Sequence, residues 1–319
     1  MSTTSQKPGG TTERAVKPIQ RPGDRIFRGT SFAAGLVILV TLAGVAIFLT
    51  IEGIPGITAS PDELRSGQGF VDFVTPLVFG TLLSSILALI MAVPVAIGVA
   101  LFISHYSPKK LGSVFGYVID LLAAVPSVVY GLWGIAFLAP ALVPFFVSLE
   151  NNLGFIPLFA GPTSPTGRTI LTVSIVLAIM ILPIMTAICR EIFLQTPRLH
   201  QEAALALGAT RWEMARMAIF PYARSGIISA AMLSLGRALG ETMAVAMVLS
   251  ATGVITFNLI SSVNPSTIAA NIALGFPEAS GLNVNALIAS GLVLFVITFA
   301  VNFAARAIVD RRKDFSGAN

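Results

Sequence analysis

The chain has 319 residues, of which 55% are hydrophobic and only 11% charged, with a formal net charge of +5. This balance excludes a soluble domain of ordinary composition and makes the chain an integral membrane protein; its excess of Lys and Arg fits cytoplasmic loops, and no nucleic-acid partner is expected. A single cysteine, Cys189, excludes an internal disulfide framework, and no His/Cys cluster could hold a metal, so no cofactor is expected in this chain.

Residues 1–28, rich in Ser, Thr, Gly and Pro and interspersed with Lys and Arg, read as a disordered basic cytoplasmic tail. The uncharged run 29–51 is long enough to span a bilayer and predicts the first transmembrane helix. After a polar stretch, a second helix is expected at about 76–104, with Pro94 inside it. A short link carrying Lys109 and Lys110 leads to a third helix that starts near Ser113, includes Asp120 and Pro126, and fades at Pro140 and Pro144. Asp120 would then lie in the inner third of the membrane, facing a cavity or pairing with another subunit. A loop at 149–168 precedes a fourth helix, from Thr169 to about Phe193 and containing Pro183. Next comes a polar, helix-favouring island, 198–221, in which Gly208 interrupts a short helix and Pro221 closes the stretch. The fifth helix is expected at about 224–250 and the sixth at 285–308, separated by a weakly polar segment. An all-α, six-helix domain therefore occupies 29–309, with a short charged tail at 310–319.

Six spans place both termini on one side. With that side cytoplasmic, seventeen Lys and Arg fall inside, against only Arg65 and Arg168 outside. The bias fixes the orientation and puts the 198–221 island in the cytoplasm. The stretch GPTSPTGRT, Gly161 to Thr169, has the look of a phosphate-binding P-loop, but it has five residues between its glycines where the motif has four, and Arg168 stands where the motif requires lysine. No other segment fits that motif, so ATP hydrolysis is expected in a partner chain.

Arg237 and Glu241 fall within the fifth helix, in GRALGETMA. A central arginine costs about 2.5 to 3.5 kcal/mol on insertion scales, so it should face protein or a pathway. Counted from Arg224 at ~1.5 Å per residue, Arg237 should lie roughly 20 Å into a core about 30 Å thick, with Glu241 one turn further on the same face. Gly236 and Gly240 make a small-xxx-small pair that would admit a neighbouring helix. Two readings stand: an internal ion pair that locks the helix, or an anion station in which Arg237 presents paired donors to an oxyanion.

Glu202, Ala203, Ala204 and Gly208, with Pro221 thirteen residues after that glycine, resemble the EAA loop of the membrane subunits of bacterial ATP-binding-cassette (ABC) importers. Where that family favours Ile and Leu near the end of the loop, this chain has Ala218 and Phe220. The segments Ile119 to Gly134 and Ser234 to Ser250 extend the likeness, which is similar to the permeases of the phosphate-specific importer and closer to the C-type than the A-type subunit. The resemblance implies a type I permease fold and a coupling helix that docks on a cytoplasmic ATPase. It also implies phosphate passage at Arg237 and Glu241. The assembly it implies has an A-type permease partner, two ATPase subunits that bind ATP and Mg, and an extracytoplasmic phosphate-binding protein, in the bacterial cytoplasmic membrane. A permease for sulfate or molybdate, or an ion-coupled secondary transporter, are the rival readings.

Overall fold

The computed structural model describes residues 22–64 and 67–313, apart from the side chains of Pro22, Lys109 and residues 308–313. Most of the basic tail, Arg65 and residues 314–319 lie outside the described residues. Six helical stretches are long and apolar enough to cross a membrane: Gly23–Thr58, Phe70–Tyr106, Ser127–Leu153, Ile170–Leu194, Arg211–Leu239 and Leu282–Ala307. The chain is a multi-pass membrane protein.

The first helix, α1 (Pro22–Thr58), starts within the segment expected to be disordered and takes in Arg25 and Arg28. Residues up to Phe48 form a unit of their own, exposed from Gly23 to Val45. In the rest of the chain, α2 (Phe70–Leu101) and α6 (Ile170–Leu194) run along each other and α9 (Phe220–Leu239) packs on both. Gly80, Ser84, Ala88, Ala92, Ala96 and Ala100 are all buried and recur every four residues, so they form one small-residue stripe along α2. Ala88 and Ala92 pack with Val173, Leu177 and Ile181 of α6, and Ala96 and Ala100 with its Met185, Cys189 and Phe193. At Gly80 the approach is closest, since a Cβ there would fall 2.2 Å from the Ser266 carbonyl oxygen.

The third span differs from expectation. The chain forms α3 (Lys109–Ala123), turns at 124–126, and begins the span with α4 (Ser127–Trp133), continuing through a wide turn to α5 (Ala139–Leu153). Pro126 is the cause: it drives the preceding residue out of the helical region and, at φ −60° and ψ 141°, caps α4. The Tyr130 hydroxyl donates to the Leu122 carbonyl, 3.0 Å, and stitches the two helices together. Asp120 therefore lies in α3, exposed and outside the membrane-spanning helices, rather than in the inner third of a span. The span does not fade at Pro140 and Pro144 either.

Three wide π turns interrupt the helices, at Phe102–Tyr106, Gly134–Leu138 and Ala215–Ile219. Two residues after the end of each comes a proline, Pro108, Pro140 or Pro221. Proline donates no hydrogen bond and its ring crowds the carbonyl one turn back, so widening the turn relieves both problems without ending every helix.

At the end of the bundle opposite the 198–221 island, the segment before α6 is laced to the long extended stretch that follows α10 (Met243–Val248). Leu259 N–H donates to Leu158 O, Ser164 N–H to Ile260 O and Leu171 N–H to Leu259 O, at 2.8, 2.8 and 3.1 Å. Asn264, fully buried, is the hub: its Oδ1 accepts the Ile170 N–H at 3.0 Å, and its amide nitrogen donates to the carbonyls of Ser250 and Ser261, both at 3.1 Å. The chain then enters α11 (Ile268–Gly275), whose first N–H donates to the Thr81 hydroxyl of α2 at 2.9 Å. The last helix is α12 (Leu282–Lys313), which absorbs the first residues of the expected tail.

Removing the hub leaves a buried N–H and two carbonyls without that partner. Asn264→Ala should cost about 1–3 kcal/mol and lower the thermal unfolding midpoint of the purified chain in detergent. An unchanged midpoint would show that the cap does not depend on Asn264.

Candidate functional site

The fifth span does not run unbroken to residue 250. It starts at Arg211 and ends at Leu239, where Gly240 caps α9 at φ −91° and ψ 1°; only after Thr242 does α10 resume. Arg237 sits in the last turn of α9, where its charge is favourable to the helix C-terminus. Glu241 lies in the break, not on the face of Arg237 one turn on. Its side chain accounts for this: Oε1 accepts the Ala244 N–H at 3.2 Å, serving the first turn of α10 instead of continuing α9.

The two charged residues are therefore separated in role. Glu241 is buried, 8% exposed, whereas Arg237 is exposed and, among the described residues, has neither a hydrogen bond nor an ion pair. No Arg237–Glu241 ion pair forms there. Arg237 lies close enough to the Tyr130 phenol to act on it electrostatically, so the start of α4 and the end of α9 share this site. Gly236 has nothing within 4 Å of where a Cβ would stand, and Gly240 only the Gly236 carbonyl oxygen at 3.6 Å. Among the described residues no other helix comes close at either glycine, as the small-residue pattern would have allowed, and the space beside Arg237 is open.

Arg168 escaped the sequence reasoning except as a failed P-loop residue. Its Nε donates to Val248 O at 3.4 Å, and Nη2 to Met247 O and Leu249 O at 3.2 and 3.3 Å, so its guanidinium closes the C-terminal end of α10. No local sequence signal pairs residue 168 with 247–249, just as none singles out Asn264.

The second site is the 198–221 island. Here α7 (Arg198–Ala206) carries Glu202 and Ala203 exposed and Ala204 buried. It ends at Gly208, φ +85°, in a Schellman motif: Gly208 N–H donates to Leu205 O at 2.9 Å and Ala209 N–H to Ala204 O at 3.2 Å. Thr210 and Glu213 then cap α8 (Arg211–Met214) reciprocally, the Thr210 hydroxyl accepting the Glu213 N–H and Glu213 Oε2 accepting the Thr210 N–H at 3.3 and 2.8 Å. That T-x-x-E spacing was readable in the sequence and was missed. Pro221 does not close the island: it stands in the first turn of α9, directly after the π turn, and the helix runs on from Arg211. Leu199, Leu207 and Trp212 are exposed at 79%, 90% and 56%, giving the hairpin an uncovered apolar surface. On its other side Gln201 comes close enough to the His105 side chain, in the wide turn after α2, to act on it, and its amide nitrogen donates to the Thr196 carbonyl at 3.0 Å.

The model of the binding-protein-dependent transport system inner membrane component family matches residues 92–314. The chain is 47% identical over 305 residues to the phosphate transport system permease protein PstC 2 of Mycobacterium tuberculosis, covering 92% of this chain and 93% of that one. It is 43% identical to PstC of Mycobacterium leprae over 91% of this chain and 94% of the relative, and 38% identical to PstC of Mesorhizobium japonicum over 92% of each. Among solved structures, a subunit of a bacterial ABC transporter involved in the import of the polysaccharide alginate aligns with a TM-score of 0.57 at 17% identity, over 90% of this chain and 99% of that one; this likeness speaks to the fold alone. Helical content, six spans and these matches agree on the type I permease fold of ABC importers. The chain belongs to the family of binding-protein-dependent transport system inner membrane components, in the group of the PstC phosphate transport permeases.

Proposed function

We propose that this chain is a permease subunit of an ATP-driven importer that carries inorganic phosphate across the bacterial cytoplasmic membrane. The observation that carries the reading is the likeness to phosphate permeases along nearly the whole length of the chain. Both termini and the 198–221 hairpin face the cytoplasm, as the distribution of Lys and Arg requires. ATP and Mg are bound by two separate ATPase subunits, an A-type permease completes the pathway, and an external binding protein delivers phosphate.

In this reading the apolar surface at Leu199, Leu207 and Trp212 docks on the ATPase, with Glu202, Ala203, Ala204 and Gly208 shaping the coupling helix. Its movement passes to α9 through the continuous helix that begins at Arg211, and to α2 through Gln201 and His105. Arg237, unpaired and beside open space, receives phosphate with charge-assisted bonds. Glu241, held by the Ala244 N–H, keeps its second carboxylate oxygen to accept a proton from a P–OH group, which sulfate lacks at neutral pH. Asp120 on the exposed face of α3 is left for contact with a neighbouring subunit.

Labelled phosphate uptake in starved cells lacking this chain tests the reading. Wild type should restore uptake. Arg237→Gln should reduce it about tenfold or more at equal membrane level, since a hydrogen bond to a charged group contributes about 1.5–3 kcal/mol. If wild type restores nothing, the cargo is another anion, and sulfate and molybdate are tried next.

Gly208→Asp tests coupling. A non-glycine residue in the left-handed region costs about 1–2 kcal/mol, and no neighbour obstructs a Cβ there, so the protein should insert normally and lose ATP-dependent uptake through the altered hairpin alone. Full uptake by this variant would remove the hairpin from the coupling path.

Glu241→Gln keeps an oxygen for Ala244 and removes the proton acceptor. It should let sulfate compete with phosphate. If sulfate is admitted no better than by wild type while phosphate transport is intact, selectivity lies with the binding protein.

A further inference from the structure

A cavity of about 510 Å³ opens between the third span and the loop before α6, with Ile135, Pro140, Val143 and Pro165 on its apolar wall and Thr166 and Arg168 as its polar residues. Arg168 has five N–H donors, and the carbonyls at the end of α10 engage only Nε and Nη2; among the described residues Nη1 has no acceptor. The three carbonyls are dipoles and leave the guanidinium its full charge. None of the residues lining the cavity is acidic, and the nearby carboxylate of Glu150 is turned to the Thr163 N–H and hydroxyl. An apolar wall with one fixed cation and one hydroxyl suits a small oxyanion, because low polarity strengthens the attraction while the carbonyls hold the guanidinium in place.

Its position gives it a use. Glu241 serves the first turn of α10 and Arg168 closes its last, so the cavity lies one short helix, about 9 Å at 1.5 Å per residue, from the Arg237–Glu241 break. The third span reaches toward both places as well, with Tyr130 within electrostatic range of Arg237 and Ile135 in the cavity wall.

We propose that Arg168 and Thr166 form an outer anion station, in which Nη1 of Arg168 and the Thr166 hydroxyl hold an oxyanion before it passes inward to Arg237. That the oxyanion is phosphate rests on the function proposed above. The station is a binding site and performs no chemistry; its guanidinium is permanently charged, so it persists across the physiological pH range.

A reporter thiol tests it. Pro165→Cys, which leaves both groups of the station in place, in membranes containing the assembled transporter, is labelled with a neutral maleimide in phosphate, sulfate or chloride at matched ionic strength; Cys189 is fully buried and gives little background. Phosphate at about twice its dissociation constant fills two thirds of the sites and should slow labelling about threefold relative to chloride. Adding Arg168→Gln should abolish the protection. Val143→Cys, on the same wall, provides an independent reporter should the first substitution disturb the protein. Equal labelling in all three salts, or protection that survives Arg168→Gln, overturns the station and leaves Arg168 as a helix cap. Protection by phosphate and sulfate alike supports it and puts selectivity further in. Protection by sulfate but not phosphate keeps the station and overturns the phosphate reading, which the uptake assay checks separately.

Discussion

The small-residue stripe on α2 is the constraint on which the rest of the bundle depends. Lipid solvates leucine as well as a protein core does, so two helices gain by meeting only if their backbones come close enough for dense van der Waals contact. Ala88, Ala92, Ala96 and Ala100 allow that along α2 against α6, while Gly80, further along the stripe, admits the Ser266 backbone. The rigid pair they make is the frame against which α9 packs. It lets the ends of the bundle depart from regular helix while the middle stays fixed.

Departures from regular helix then fall where the chain must do something other than span. The fifth span breaks at Gly240, so one chain direction delivers an arginine at a helix end and a carboxylate at the next helix start within a few residues. Non-helical backbone at membrane depth is tolerated when protein surrounds it or it lines an aqueous path. Here Glu241 supplies its own backbone partner, which lets the break exist without a second subunit to satisfy it, and Arg237 is left free for whatever lies in the open space.

Much of this was legible from residue order. Four of the six spans stand out as apolar runs near their observed bounds, and the island between the fourth and fifth announces itself by polarity and by Gly208, which does end the short helix, at φ +85°. The third span was misread because hydropathy runs smoothly across Val125 and Pro126, and only the restriction that proline puts on its neighbour shows that a helix must stop there. The fifth was misread for the opposite reason. Arg237 and Glu241 have the spacing of one helical face, and nothing local says that Glu241 will turn to Ala244. The Arg168 and Asn264 contacts join residues about 80 to 100 positions apart, beyond the reach of any pattern in a short window.

The lacing at the far end of the bundle also bears on how the chain is made. Arg168 finds its carbonyl partners 79 to 81 residues later in the sequence, and the Ile170 N–H waits for Asn264, 94 residues on. At 5–20 residues per second, synthesis leaves these groups unmatched for roughly 4 to 20 seconds after they emerge. Until then the guanidinium and the open N–H have only water as a partner at that end. The end of α10 and the stretch after it thus act as a clasp, and a chain truncated before residue 247 would carry five spans but lack the partners that close that end.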